Sequence, residues 1–384
     1  MKILIVSKCP THPTNAGNRW GVLAQAEILE KLGNEIHFLY VFELPLRQDV
    51  ARYTDDLDKT REYWKERLHV YQVSKFEKLR FILKKIYRIK FCDFFVHVDD
   101  EYPRGLTRFV RKLKDEYMFD ICIVNYYYLT KLFSVVRFDK MALFTHDSYI
   151  YKSAVVSAPD IQLTPNQEAK ALHRCPYIFA VQDDEFSLFK LLSPKSRVFN
   201  IYSKYDYHQT PVLNNKNILF LSGNNSYNVN GIKWFINEIL PLAVKKIPGC
   251  RLVIAGSICT ILEKEYVCNP NIELMGYVND PIELYSRGDV AINPVYQGTG
   301  LKIKTFEAIS YGKITMVHPH STIGIFDKTN APLFYSDKPI EWVDFLERTW
   351  NNNMSIIEVK EGAERYLERM NDFIIKEYKR FLEA

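Results

Sequence analysis

The sequence predicts an α/β protein built from two doubly wound parallel-sheet domains, and three observations support this fold class. The chain has 384 residues, which is more than one ordinary hydrophobic core accommodates. Apolar residues make up 47% of it, enough for two cores. Short apolar runs alternate with segments of helical periodicity, and this alternation restarts after a polar stretch at 206–215.

The first domain is predicted from its opening βαβ unit. Lys2 to Ser7 is an apolar strand, a helical pattern runs from about Arg19 to Leu32, and Glu35 to Val41 resumes a strand. Because a strand, a helix and a strand in this order pair in parallel, we expect a Rossmann-like sheet covered by helices. Further strands are predicted at 120–125, 141–145 and 177–182.

The second domain repeats this organisation. Its predicted strands are 217–222, 251–255, 272–275, 289–293 and 313–317, and its predicted helices are 230–246 and 302–311. We therefore divide the chain into residues 1–207, residues 208–360, and a C-terminal helix at 361–384 that packs back on the N-terminal domain. Two such domains facing a cleft place a ligand at the carboxyl ends of the strands.

Composition narrows the class of protein. The formal net charge of +5 is far from the basic excess of a dedicated nucleic-acid binder, so no nucleic-acid partner is expected. The seven cysteines form no C-x-x-C pair, which indicates reduced thiols rather than disulfides or a zinc site. No apolar run is long enough to span a membrane. The expected localisation is cytoplasmic, with peripheral contact at the inner membrane face as a further hypothesis.

A glycine-containing turn in the second half is the best candidate for a ligand site. Gly298 and Gly300 let the backbone approach a ligand, and the N–H groups of the following helical turn form an anion site. Lys302 and Lys304 add positive charge that suits a diphosphate. Glu307 shares a helix face with Lys304 and can accept hydrogen bonds from ribose hydroxyls. From the residue types alone, an ordinary turn with a surface Lys–Glu pair is the favoured interpretation.

The surroundings of this turn resemble a known family. The segment 298–308 (GTGLKIKTFEA) resembles the signature of family-four glycosyltransferases with the GT-B fold, also called glycosyl transferases group 1. The preceding 276–280 (GYVND), 284–285 (LY) and 289–290 (DV) resemble the segment that comes before it in the family. Residues 219–241 are similar to the first strand, loop and helix of the family's donor domain.

The resemblance implies a donor site for a nucleoside-diphosphate-sugar in residues 208–360, with the acceptor side in residues 1–207. Glu307 would bind the donor ribose. The backbone of Gly300 and Leu301, together with Lys302 or Lys304, would hold the diphosphate. No metal and no resident cofactor are expected, because the family generally relies on a helix N-terminus and cations.

Other donor-site residues follow the family less closely. The resemblance implies that the Val278 backbone lies near the nucleobase and that Gly223 lies under the donor phosphates. Thr299 stands where many members carry a second glutamate near the transferred sugar, and Asn224 and Asn230 stand where many carry cations. We expect Thr299 and Asn224 to line the site, with the two lysines after the turn supplying the missing charge.

In the first half, four residues are candidates. Gly17 and Asn18 occupy the position of the family's glycine loop, although a plain turn between strand and helix is equally consistent with them. His146 and Asp147 follow directly on an apolar strand, where the family places a histidine that approaches the donor sugar. We predict both as catalytic-site residues, with His146 bonding a sugar hydroxyl or supporting developing charge rather than acting as a base.

A basic segment at Lys75 to Lys90 is the remaining feature. It has seven cationic residues and one acidic residue around an apolar stripe. This composition is typical of a helix lying on an anionic membrane surface, but a core-packed helix with a solvated basic face is the slightly favoured interpretation.

The predicted function is transfer of a sugar from a nucleoside-diphosphate-sugar to a glycan, a lipid-linked acceptor or another acceptor, with retention, in polysaccharide biosynthesis. The alternatives are an epimerase or hydrolase of nucleoside-diphosphate-sugars with the same fold, and a non-catalytic sugar-nucleotide-binding protein. The neutral residues Thr299, Asn224 and Asn230 are the reason to keep the last alternative.

Overall fold

The computed structural model of the chain describes residues 1–14, 17–44, 50–91, 97–155, 163–351 and 355–384. Asn15 and Ala16 of the predicted glycine loop, and Cys92, lie outside these residues. The strands are β1 (Lys2–Ser7), β2 (Glu35–Phe42), β3 (Leu68–Gln72), β4 (Ile121–Asn125), β5 (Lys140–Phe144), β6 (Tyr177–Ala180), β7 (Arg197–Asn200), β8 (Asn217–Leu221), β9 (Arg251–Ala255), β10 (Ile272–Gly276), β11 (Val290–Asn293), β12 (Ile314–Val317) and β13 (Leu333–Tyr335).

The helices are α1 (Gly17–Lys31), α2 (Val50–Trp64), α3 (Lys75–Phe91), α4 (Arg104–Tyr117), α5 (Tyr149–Val155), α6 (Pro165–Leu172), α7 (Asp183–Leu192), α8 (Ser226–Trp234), α9 (Leu240–Lys246), α10 (Cys259–Tyr266), α11 (Ile282–Tyr285), α12 (Ile303–Ser310), α13 (Pro339–Asn351) and α14 (Ile356–Glu383). Among the described residues, no helix combines the length and the apolar composition needed to cross a membrane.

The chain divides into two units by its internal contacts. The first unit comprises Met1–Lys204 and Phe373–Ala384, and the second comprises Tyr205–Asp372. The last turns of α14 therefore belong to the first unit, where Phe381 packs edge-on against Phe179 of β6 with ring centroids 4.8 Å apart. The domain limits at 207 and 360 were drawn from the linker composition and stay a prediction.

Each unit contains one parallel sheet. The first sheet has the order β3-β2-β1-β4-β5-β6-β7, and the second has the order β10-β9-β8-β11-β12-β13. Every pairing in both is parallel, so each connection between paired strands is a crossover. The predicted α/β class with two doubly wound sheets is confirmed. Strand order reverses between β1 and β4 in one sheet and between β8 and β11 in the other, and ligands bind beyond the strand ends at such points.

The second sheet buries a core on each face, because side chains alternate along a strand. Ile218 and Phe220 of β8 join a large cluster with Trp342 of α13, while Leu219 faces a smaller cluster that contains Tyr285. Trp342 is fully buried, so replacing it by alanine should cost about 3–5 kcal/mol of stability. The two clusters fix the strands whose ends form the candidate site.

The helix after β8 begins earlier than predicted. It starts at Ser226 rather than Asn230, because Oδ1 of Asn225 accepts a hydrogen bond from the Asn228 N–H at 2.9 Å and caps the helix. A π-helical turn at Phe235–Ile239 then precedes α9. Pro241 has no N–H to donate to the preceding turn, and the wider turn accommodates this loss.

Candidate functional site

The loop after β11 is held in a conformation that requires glycine. Gly298 has φ 101° and Gly300 has φ 76°, a region that residues with a side chain rarely adopt. A Cβ atom at Gly298 would lie 3.3 Å from the ring of Tyr227. On the other side, the Nε2–H of His320 donates to the Gly298 carbonyl oxygen at 2.9 Å. The loop backbone is therefore fixed between two rings.

At the start of α12, some backbone N–H groups already donate hydrogen bonds to carbonyls of the protein. The N–H of Ile303 donates to the Leu301 carbonyl and that of Thr305 to the Lys302 carbonyl, both at 2.9 Å. The turn closes tightly onto the preceding carbonyls, so these two N–H groups are already paired, and anion binding by the free N–H groups of this turn stays a prediction. The amine of Lys302 lies 3.4 and 3.5 Å from carbonyl oxygens of the glycine loop. Diphosphate binding by the backbone of Gly300 and Leu301 stays a prediction.

A buried asparagine joins the two strand ends at the switch point. The amine of Lys304 donates to Oδ1 of Asn228 at 3.0 Å, and Nδ2 of Asn228 donates to the Gly223 carbonyl oxygen at 3.0 Å. Gly223 follows β8, whereas Lys304 follows β11, so Asn228 connects both sides. Burial lowers the pKa of Lys304 to about 8, against the opposing effect of the Glu307 carboxylate.

Glu307 carries a buried acceptor atom without a partner. Burial raises the pKa of its carboxyl to about 7, while Lys304 and the Tyr285 hydroxyl act in the opposite direction. Among the described residues, none hydrogen-bonds to its Oε1 atom. A buried acceptor left unpaired costs about 1–3 kcal/mol. This geometry is typical of a side chain that accepts a hydrogen bond from a ligand.

Aromatic rings surround this carboxylate. Tyr285 stacks on Tyr311 with ring centroids 4.5 Å apart, and Tyr205 stacks on Phe306 at 5.6 Å. The pKa values of the Tyr205 and Tyr285 hydroxyls are raised by burial first and by Glu307 second. The rings keep water away from Glu307, which strengthens any hydrogen bond that it accepts.

The remaining predicted donor residues lie in the same unit. Gly223 and Asn224 are exposed directly after β8, and Thr299 is half-buried in the glycine loop. Val278 is partly buried and packs against the smaller core cluster. A Cβ atom at Gly231 would lie 2.8 Å from the Cα of Val295, so α8 touches the loop after β11 through its backbone.

Two contributors to this site were not predicted from the sequence. Asn228 lies four residues before Ile232, so it shares the buried face of α8, and a polar residue on such a face signals a buried hydrogen bond. His320 comes shortly after the end of β12, and the rule that polar residues after a buried strand reach the ligand edge would have identified it. The same rule predicts His146 after β5.

In the first unit, His146 lies at the end of β5. It has φ 65°, and its Nε2–H donates to Oδ1 of Asn125 at 2.8 Å. Its ring stacks on Tyr126 with centroids 4.2 Å apart. Burial lowers its pKa to about 3, so the ring is neutral near pH 7 and its Nδ1 is an acceptor. Asn18 hydrogen-bonds to Tyr126, which brings the start of α1 beside this histidine.

Asp147 adjoins a group of buried acids. Its carboxylate lies 4.0 Å from the amine of Lys152, and its carbonyl oxygen accepts a hydrogen bond from the Tyr127 hydroxyl at 3.2 Å. Burial, and then Asp147, raises the pKa of Glu185 to about 8. Glu185 accepts from the Ser148 N–H at 2.9 Å, so it supports the turn that carries Asp147. Gly17 is the first residue of α1.

No group of three His, Cys, Asp or Glu side chains suited to a metal ion occurs in the described parts of the chain. The expectation of a metal-free site remains a prediction, because a donor with its own phosphates could bring further ligands.

Comparisons with known proteins agree with this architecture. Residues 215–352 match the sequence profile of glycosyl transferases group 1. The chain is 22% identical over 343 residues to an uncharacterized 44.6 kDa protein in the cps region of Klebsiella pneumoniae, covering 80% of each chain.

Solved structures share the whole fold. S. aureus TarM superposes with a TM-score of 0.67 at 12% identity, covering 100% of this chain and 99% of TarM. Anabaena HepE in complex with UDP gives 0.65 at 12% identity, covering 100% of both chains. Likeness at this identity shows the fold, and the profile match shows the family of the second unit. The chain therefore has the two-domain GT-B fold, and residues 215–352 of its second unit match glycosyl transferases group 1.

Proposed function

We propose that this chain transfers a sugar from a nucleoside-diphosphate-sugar to a glycan acceptor, with retention of configuration. The buried, unpaired Oε1 of Glu307 is the observation that carries the proposal. A ribose supplies hydroxyl donors for such an atom. The glycine loop and Lys304, one helical turn away, lie where the diphosphate of the same donor would follow.

The donor site would act by stabilising the leaving diphosphate. When the bond between the sugar C1 and the phosphate oxygen breaks, negative charge collects on the diphosphate. The ammonium group of Lys304 sits in buried surroundings, where its attraction to that charge is stronger than in water. Lys302 adds a second cation at the glycine loop. These cations replace the charge that Asn224 and Asn230 do not provide.

His146 would act as a hydrogen-bonding group toward the sugar. With Nε2–H held by Asn125, its Nδ1 can accept a hydrogen bond from a sugar hydroxyl. The ring stays neutral, so no proton transfer to it is required. In a displacement on one face of the sugar, the acceptor oxygen bonds to C1 while its proton passes to the leaving phosphate oxygen. Asp147 would contact the same part of the donor.

The substrates are proposed from the relatives. HepE was solved with UDP, so UDP-sugars are the first donors to test. The name of the Klebsiella pneumoniae relative refers to a cps region, which favours a polysaccharide as the acceptor.

A donor panel tests the proposal. Purified protein is incubated with UDP-, GDP- and dTDP-sugars, with and without a crude glycan extract, and release of nucleoside diphosphate is measured. We expect release from one donor to rise with the extract. Equal release without it would indicate a hydrolase, and a changed sugar without release would indicate an epimerase. Donor binding without either reaction would establish a binding protein and contradict the transferase proposal.

A further inference from the structure

Helix α3 (Lys75–Phe91) presents apolar side chains to solvent. The exposed fractions are 86% for Phe76, 57% for Leu83 and 58% for Tyr87, and the outward face also contains Leu79, Ile82, Ile86 and Phe91. A surface helix of a globular protein normally turns its apolar stripe toward the core. Here the stripe faces outward, which is the reverse of a helix with a solvated basic face.

The inward face of α3 forms ion pairs and a hydrogen bond with the rest of the first unit, and these contacts fix the orientation of the helix. Lys84 and Arg88 both bind the carboxylate of Asp100, at 3.2 and 2.6 Å. Arg80 donates to the Tyr102 carbonyl oxygen at 2.7 Å. Phe81 is buried in the core of the first unit. Charged contacts to the protein body therefore hold the helix so that its apolar side faces away.

The outward face also carries positive charge. Lys75, Lys85 and Lys90 are exposed, and Glu77, the one acidic residue of α3, is turned toward Tyr71 and accepts its hydroxyl hydrogen at 3.0 Å. An exposed apolar stripe bordered by lysines is complementary to a surface that carries negative charge and has an apolar layer beneath it. An anionic phospholipid bilayer has both properties.

We propose that α3 docks the protein onto an anionic phospholipid surface. Phe76, Leu79, Leu83 and Tyr87 enter the boundary between headgroups and acyl chains, and Lys75 and Lys90 contact headgroup phosphates. This inference does not depend on the sugar-transfer reaction. If both hold, the protein meets acceptors that are anchored in the same membrane.

Co-sedimentation with lipid vesicles tests the proposal with the intact chain. Vesicles of phosphatidylcholine alone are compared with vesicles that also contain phosphatidylglycerol. We expect the protein to sediment with the anionic vesicles and much less with the neutral ones. Changing Lys75 and Lys90 to Gln should lower binding to anionic vesicles by about one to two orders of magnitude. Lys84 and Arg88 are left unchanged because they hold Asp100 in the fold.

A second variant tests the apolar side chains of α3 separately from its lysines. Phe76→Ser with Leu83→Ser should abolish most binding, whereas Leu191→Ser, at a side chain that is 79% exposed on α7, should leave it unchanged. Circular dichroism and thermal unfolding verify that each variant is folded. The proposal is overturned if the unaltered protein stays in the supernatant with anionic vesicles, or if both α3 variants bind as well as it does. It is also overturned if the serine pair only dissociates a dimer, because α3 would then contact a second copy.

Discussion

The two sheets share the same strand order around their switch points, but the side chains that follow the strands there differ. In the first unit, Tyr126 follows β4 and His146 comes two residues after β5. Both residues have positive φ, and their uncharged rings stack. In the second unit, the corresponding edge holds a buried amine at Lys304 and a buried carboxyl at Glu307. Each unit places polar groups beyond a switch point, and in the second these groups include an amine next to a carboxyl.

This difference follows from how each edge is stabilised. Asn125 satisfies the ring of His146, so burial leaves it neutral at no electrostatic cost. Glu307 is not satisfied in this way, and the protein retains an unpaired acceptor. A buried acceptor atom without a partner is satisfied when a ligand donates a hydrogen bond to it, whereas a neutral ring can serve as a passive contact. The donor nucleotide is therefore expected at the second edge.

The largest effect should come from removing the carboxylate of Glu307. We expect Glu307→Ala to raise the Kd for UDP by roughly ten- to a hundredfold, because hydrogen bonds to a charged group contribute about 1.5–3 kcal/mol. Isothermal titration calorimetry measures this. Glu263→Ala, an exposed acid on α10, is the matched control.

The melting temperature of a Glu307 variant distinguishes a role in ligand binding from a role in the stability of the fold. If Glu307 serves the ligand, Glu307→Gln should melt no lower than the unaltered protein, because a buried ionisable group without a partner at Oε1 is replaced by a neutral one. A strong loss of melting temperature with unchanged UDP affinity would contradict the ribose assignment.

A smaller effect should appear in the pH dependence of UDP binding. Glu307 ionises above its pKa of about 7, and Lys304 loses its proton above its pKa of about 8. Affinity should therefore be highest between these values and fall up to tenfold per pH unit beyond them. Glu307→Gln should remove the dependence on the acid side, and Lys304→Arg should remove it on the alkaline side. Unchanged profiles in both variants would show that another pair titrates.

At the first edge we expect no titration of the His146 ring. Because burial lowers the pKa of His146 to about 3, its ring signals in NMR spectra should stay constant between about pH 5 and 8. The signals are assigned by their loss in His146→Gln. A midpoint near pH 6 would mean that the ring becomes charged, and the contrast between the two edges would then disappear.

The sequence predicted the inner strands of both sheets and missed three strands at their edges. β3, β7 and β13 lie at sheet edges, and they are five, four and three residues long. An edge strand pairs on one side only and needs less apolar sequence, so its pattern is weak. Inner strands such as β8 and β11 are buried on both faces and form readable apolar runs.

The candidate site was predictable where local sequence determines it. Gly298 and Glu307 were identified from a turn, a helix start and their spacing. Asn228 was not, because its partners Lys304 and Gly223 are brought to it by the pairing of β8 with β11. A contact that forms only when two strands pair in a sheet is not evident from the residues that are adjacent in the sequence.

The backbone contact at Gly231 has a mechanical consequence. Because a side chain there would collide with Val295, helix α8 and the loop after β11 pack backbone against backbone at this point. The segment after β8 and the loop after β11 therefore form one clamp. We expect any motion that admits or releases a nucleotide to occur in residues outside this clamp.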